Sequence, residues 1–238
     1  MRKIKDANLR GGILLDGFPS VGLANAIASE CLIHSMNTEF IAVLDSPLFA
    51  PLSVIRNSIP NFPARIYVNE EIRLGIFVSE LNLDASLYRP VANTMLDWAI
   101  TNGCELIISS AGIPYEGANS GDSEPEVYAT ASTKVAMQKF EAAGIKKLAN
   151  GSVGGIPAVL LNEGSWRGFS VIVLLVKVLK DAPDFRAAAA IAEAVTRLAP
   201  GSSCDIKSLL QEAEVTEKTL KRLRIEQAQA QGEQGIYG

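Results

Sequence analysis

Few residues in this sequence are equipped for chemistry, and they fall into four groups. The first is the segment "DGFPSVG" (16–22), where Gly17 and Gly22 flank Phe18, Pro19, Ser20 and Val21 between an apolar run and a helical pattern. An α/β fold commonly cradles phosphate at such a junction, on backbone N–H groups. Gly17 and Gly22 are spaced like the glycines of a P-loop. Leu23 and Ala24 stand, however, where a lysine and a serine or threonine would hold phosphate and magnesium. The G-x-G-x-x-G spacing of dinucleotide folds is also missing. Gly17, Phe18, Pro19 and Gly22 therefore read either as a ligand-binding turn or as a tight structural one. In the second case Gly17 permits a sharp backbone and Gly22 lets the helix lie close to the sheet. "NGSVGG" (150–155) has the same character, glycines without a charged partner.

The second group is a single histidine, His34, which follows Leu32 and Ile33 late in a helical pattern. It reads as a structural or surface residue. No G-x-S-x-G, C-x-x-C or H-E-x-x-H segment occurs, so neither a hydrolase elbow nor a zinc site is expected. The third group is acidic: Asp122, Glu124 and Glu126. Paired carboxylates can do acid–base work, but in a loop rich in Gly, Ser and Pro they read as solvated. No catalytic set emerges, and neither a metal nor a cofactor is expected. The fourth group is Ile236-Tyr237-Gly238, which follows a stretch of Gln, Glu, Ala and Gly that can bury almost nothing. An isoleucine and a tyrosine placed there gain energy only from a partner, if they gain any.

The elements that must position these groups follow from apolar patterning. "GGILLDG" reads as a buried strand ended by Gly17, and "FPSVGLANAIASECLIHSM" as a helix with Ser20 as its N-cap. "EFIAVL" is a strand, and "ARIYVNEEIRLGIFVSE" two strands of a hairpin turning at "NEE". "SLYRPVANTMLDWAITNG" is a helix with Pro90 in its first turn and Gly103 at its stop. "CELIISSAG" is a strand of buried parallel type, and the loop begins after it, at Ile113. "TKVAMQKFEAAG" is a helix closed by Gly144. "NGSVGGIPAVLL" is a turn leading into a helix or a strand. "FSVIVLLVKV" is a strand, and "PDFRAAAAIAEAVTRLAPG" a helix between prolines. Such alternation predicts a three-layer α/β/α sandwich around a mostly parallel sheet. Residues 1–204 form this core. Residues 205–231 form a C-terminal helix that starts with Asp205 as N-cap and docks by its first half. Residues 232–238 form a flexible tail.

Composition narrows the class of function. The chain has 238 residues, 48% hydrophobic, with a net charge of −4. The length suffices for one sizeable core. The mild acidity argues against a nucleic-acid binder, and the basic cluster Lys221, Arg222 and Arg224 reads as a solvated helix face. Cys31, Cys104 and Cys204 are an odd, unpatterned set, which predicts a reducing compartment and no disulfide framework. The first residues lack the apolar core of a signal peptide. The most apolar run, "FSVIVLLVKVL", is too short to span a bilayer and contains Lys177. A cytoplasmic protein, with no membrane partner, is the expectation.

Six segments, in order, resemble the proteasome assembly chaperone 2 family. They are "GFPSVGLANAIASECLI" (17–33), "PNFPARIYV" (60–68), "FVSE" (77–80), "NGSVGGIPAVLLNEG" (150–164), "PDFRAAAAIAEAV" (183–195) and "DIKSLLQEAEVTEKTLKRL" (205–223). Ala24-Asn25-Ala26 departs from the family pattern, where a further glycine commonly follows "VGL". The resemblance implies a nucleoside-phosphorylase-like α/β/α domain without an established catalytic set. It also implies a homo-oligomer that engages the α subunits of the 20S proteasome, as an assembly chaperone or an ATP-independent activator. Ile236-Tyr237-Gly238 matches the hydrophobic–tyrosine–any-residue tail by which such proteins dock between α subunits. Two other readings stay open at this level: a small-molecule enzyme acting on nucleoside-like ligands, suggested by fold analogy alone, and an oligomeric scaffold presenting its tails to another partner.

Overall fold

The computed structural model describes residues 1–115, 125–180 and 182–216. Along the chain run β1 (Arg2–Lys3), β2 (Ile13–Gly17), α1 (Ala24–Ser35), β3 (Glu39–Val43), β4 (Val54–Arg56), β5 (Ile59–Asn61), β6 (Ala64–Asn69) and β7 (Leu74–Ser79). They are followed by α2 (Tyr88–Thr101), β8 (Leu106–Tyr115), β9 (Val127–Ala131), α3 (Lys134–Ala142), β10 (Lys146–Lys147), α4 (Gly155–Arg167), β11 (Ser170–Leu179) and α5 (Phe185–Leu198). A sixth helix, α6, covers 206–216.

Nine strands form one sheet in the order β1-β3-β6-β7-β2-β8-β11-β9-β10. The four central strands, β7, β2, β8 and β11, run parallel. The flanking pairs are antiparallel, apart from the short β9–β10 pair at one edge. Side chains alternate between the faces, and each face is covered by helices. Ile13 and Leu15 of β2, with Ile172, Leu174 and Val176 of β11, meet α1, α3 and α5 through Leu32, Phe140 and Ile191. Leu14, Val171, Val173 and Leu175 meet α2 and α4 through Met95, Leu96 and Leu160. Covering on both sides is why "VIVLLV" is continuously apolar rather than alternating. The expected three-layer α/β/α sandwich is the observed fold.

Local departures from the sequence reading have identifiable causes. Ser20 precedes a single 3-10 turn, Val21–Leu23, makes no side-chain cap bond, and α1 proper begins at Ala24. β8 continues through Ile113 to Tyr115, because Lys177–Leu179 of β11 pair with those residues. The segment after "NGSVGG" is a helix, α4, with Pro157 in its first turn, where a missing N–H costs little. The N-terminus of α6 is capped, since the Ser208 N–H donates to Asp205 Oδ1 at 3.1 Å. Leu209 and Ala213 are buried, so this first part of the helix docks on the domain. The rest of the expected C-terminal helix and the tail lie outside the described residues.

The expectation of unpaired cysteines is overturned for two of the three. Cys31 of α1 and Cys204, just before α6, form a disulfide with Cα atoms 5.5 Å apart. The pairing joins residues 173 positions apart in sequence, so no local spacing could announce it. The junction is reinforced where Asp205 N–H donates to Ser35 Oγ at 3.0 Å. Closing so long a loop restricts the unfolded chain. The double substitution Cys31→Ala/Cys204→Ala is expected to lower stability by about 2 kcal/mol, measured by urea unfolding against the oxidised parent. An unchanged midpoint would remove the disulfide from the stability of the fold.

Candidate functional site

β2 and β8 are neighbours in the middle of the sheet, and their carboxyl ends open beneath the turn that leads into α1. Crevices at the carboxyl ends of parallel strands are where open α/β sheets bind ligands. Asp16, at the end of β2, is 1% exposed. Its Oδ2 accepts from Ser109 Oγ at 2.6 Å, and its Oδ1 from the Phe18 N–H at 3.0 Å. Beside it, Ser110 Oγ donates to Asn25 Oδ1 at 2.6 Å, and Asn25 Nδ2 donates to the Phe18 carbonyl at 3.0 Å. Both backbone groups of Phe18 are thus held, one by β2 and one by α1. Burial pushes the Asp16 carboxyl up to about 6, against the opposing pull of the Ser109 and Phe18 hydrogen bonds.

The two glycines of the turn act structurally. A Cβ on Gly17 would lie 2.4 Å from the Phe77 carbonyl oxygen and 2.6 Å from Ser29 Oγ. Gly22 has φ of +73°, and a Cβ there would lie 2.6 Å from Val178 Cβ. Its carbonyl accepts from the Asp184 N–H at 2.8 Å, tying the turn to the start of α5. Phe18 and Pro19, by contrast, line a cleft of about 310 Å³, together with Asp16, Asn25 and Ser110. Tyr88 of α2 and Gly155 and Ile156, the first residues of α4, complete its wall. The two segments "DGFPSVG" and "NGSVGG", remote in sequence, therefore meet at one site.

With this geometry established, comparison with known proteins places the chain. The model of the PAC2 family matches residues 14–224. The chain belongs to the PAC2 family. PbaA of Pyrococcus furiosus, an archaeal homologue of proteasome-assembly chaperone, is similar with a TM-score of 0.82 and 27% identity, over 98% of this chain and 95% of that one. PbaB of the same organism, an archaeal proteasome activator, is similar with a TM-score of 0.80 and 26% identity, over 93% and 97%. An uncharacterized protein of Methanocaldococcus jannaschii is 26% identical over 211 residues, 89% of this chain and 84% of its own length.

Of the other sequence candidates of this PAC2 protein, His34 and Glu126 line no part of the cleft. His34 is exposed at the end of α1, with Nε2 3.5 Å from Glu30 Oε2. Glu126 accepts hydrogen bonds from Lys146 and Tyr128, which hold its carboxyl below the usual range. Asp122 and Glu124 lie outside the described residues, as do Ile236, Tyr237 and Gly238. Cys104 is buried, and burial pushes its thiol up to about 12, which suppresses the nucleophilic thiolate. Among the described residues, no group of three or more His, Cys, Asp or Glu could hold a metal ion. No helix of the described residues is long and apolar enough to cross a membrane.

A second polar cluster went unread in the sequence. Arg65, with its side chain 2% exposed, bonds Glu80 at 2.7 Å and lies 3.4 Å from Glu30. Arg56 reaches both acids at 2.8 Å. Four elements or their ends, α1, β4, β6 and the residue after β7, supply one charge each, so sequence proximity gives no signal. Arg65→Ala is expected to destabilise by about 2 kcal/mol or more, because it removes charge-assisted bonds and leaves Arg56 alone against two carboxylates. Thermal melts check this, and a parent-like melt would show the buried guanidinium to be dispensable.

Proposed function

We propose that this protein binds the 20S proteasome, as an assembly chaperone or an ATP-independent activator, by docking its C-terminal residues on the α-ring. The observation that carries this reading is the likeness over almost the whole chain to a homologue of proteasome-assembly chaperone and to a proteasome activator, within a shared family. The sequence adds Ile236-Tyr237-Gly238 as the docking residues. A free carboxylate on Gly238 would pair with a lysine of the α-ring. The Tyr237 ring would fill a partly apolar cleft with its hydroxyl bonded. Full burial of Ile236 adds about 1.5–3 kcal/mol.

One such tail is weak, since ordering it offsets much of the contact energy. Several tails on one homo-oligomer raise the effective concentration. Self-association is supported by the excursion between β3 and β6, which exposes Leu48, Leu52, Ile55 and Ile59. In this reading residues 1–204 are the oligomerising core, 205–231 the projecting helix and 232–238 the docking tail. The protein works in the cytoplasm without enzymatic activity or cofactor. The Cys31–Cys204 disulfide then requires a cytoplasm that keeps thiols oxidised, as that of hyperthermophiles does. The enzyme and scaffold readings draw no support from the structural relatives.

The test is electron microscopy of the protein mixed with purified 20S particles, beside light scattering of the protein alone. Density over the α-ring and an oligomeric mass are expected. Bare rings at saturating protein would overturn the docking reading, and a monomeric mass at micromolar concentration would overturn the avidity that it needs.

A further inference from the structure

The cleft beside Asp16 carries a charge pattern that proteasome docking does not use. Among the described residues, Asp16 is the only charged side chain in its lining, which contains no Lys, Arg or His. Both carboxylate oxygens accept from neutral donors, Ser109 and the Phe18 N–H. A carboxylate withdrawn from water without a cation beside it is costly, and the fold gains nothing from it that a neutral residue could not supply.

Another part of the same lining has the opposite need. α4 begins at Gly155 with Gly154 as its N-cap, and no side chain caps it. The N–H groups of Gly155 and Ile156, without Pro157, which has none, and the positive end of the helix dipole are therefore left to an acceptor. A third group points the same way. Ser20, part-buried, lines the cleft, and its hydroxyl oxygen is buried with no hydrogen-bond partner among the described residues. Native structures rarely leave such an atom unmatched unless something else completes it.

These needs define a complementary molecule. The buried carboxylate calls for a cation, the uncapped helix start calls for an anion, and Phe18, Leu81 and Tyr88 offer apolar wall between polar groups. A simple anion such as phosphate would face Asp16 with no basic residue to offset the repulsion. A bare amine would leave the helix N–H groups unmatched. The volume of about 310 Å³ lies at the small end of the range for ligand sites. We propose that the cleft binds a free α-amino acid with an apolar side chain, its ammonium on Asp16 and its carboxylate on the first N–H groups of α4. The Ser20 hydroxyl completes one of the two polar ends.

The experiment is isothermal titration of the full chain, without proteasome, with L-leucine and L-phenylalanine. Isoamylamine, isovalerate and inorganic phosphate serve as single-charge probes. At least one amino acid is expected to bind saturably, roughly tenfold or more tighter than any single-charge probe. Asp16→Asn should weaken binding roughly tenfold or more, because it removes the charge partner of the ammonium. Ser20→Ala should also weaken it while melting like the parent, since the hydroxyl it deletes has no partner among the described residues. No saturable binding by either amino acid up to about 10 mM would overturn the proposal. So would equal binding by Asp16→Asn, or binding of isovalerate or phosphate as tight as that of the amino acids. None of these outcomes touches the docking of the tail, which is measured with 20S particles.

Discussion

Asp16→Asn is expected to be more stable than the parent protein at pH 8, by up to about 3 kcal/mol. The folded protein raises this carboxyl from 3.8 to about 6, chiefly by burial. Between those values the folded state holds a proton that the unfolded chain has released. Stability therefore falls as pH rises through that window, and the full penalty applies above about pH 6. Asparagine never ionises, so it escapes the penalty. It can also keep both hydrogen bonds. Its Oδ1 accepts from the Phe18 N–H as Asp16 does, and its Nδ2 donates to Ser109 Oγ, since a hydroxyl can accept as well as donate. The gap between variant and parent should close as pH falls toward 4. Chemical denaturation at several pH values measures it. A variant less stable than the parent at every pH would show that the Ser109 bond cannot reverse. A gap constant with pH would show that Asp16 does not titrate in this window. A residue that costs stability yet occupies the floor of a cleft fits a site kept for binding.

Removing Ile236, Tyr237 and Gly238 is expected to lower affinity for 20S particles by roughly a hundredfold or more. The effect exceeds that of one contact because every tail of an oligomer is changed at once. Extending the chain by a single serine after Gly238 should weaken binding almost as much, because it moves the carboxylate away from its lysine. Thermal melts of both variants should match the parent, since these residues follow a polar segment suited to no core. Sedimentation of mixtures with 20S particles resolves bound from free protein. Retained co-sedimentation by the truncated form would shift the interaction to the surface of the folded domain.

Much of the fold was legible because the central strands β2, β7, β8 and β11 are covered on both sides and so carry continuous apolar runs. The hairpin β6–β7 announced itself through "NEE" between two such runs, and α2 through Pro90 and Gly103. What stayed hidden depends on residues meeting from distant segments. The β4–β5 hairpin turns at Asn57-Ser58, both with positive φ. Asn-Ser is a weaker form of the Asn-Gly turn signal, because serine enters the left-handed region less readily than glycine. The start of α4 was ambiguous, because "GIPAVLL" is too short for periodicity to separate helix from strand. The turn at Gly17 and Gly22 could be located from its glycines. The significance of Asp16 could not, because its burial depends on Ser109 of β8 and on the turn folding over it. Likewise, the Cys31–Cys204 pair and the Arg65 cluster exist only once α1 has been laid against its neighbours.

The proposed docking of Tyr237 is tested most directly by one substitution. Tyr237→Ala, compared with the parent by surface plasmon resonance on immobilised 20S particles and by thermal melting, is expected to lose binding while melting at the parent temperature. A variant that binds as tightly as the parent would show that the tail is not the anchor, and one that melts early would place Tyr237 in the folded core instead.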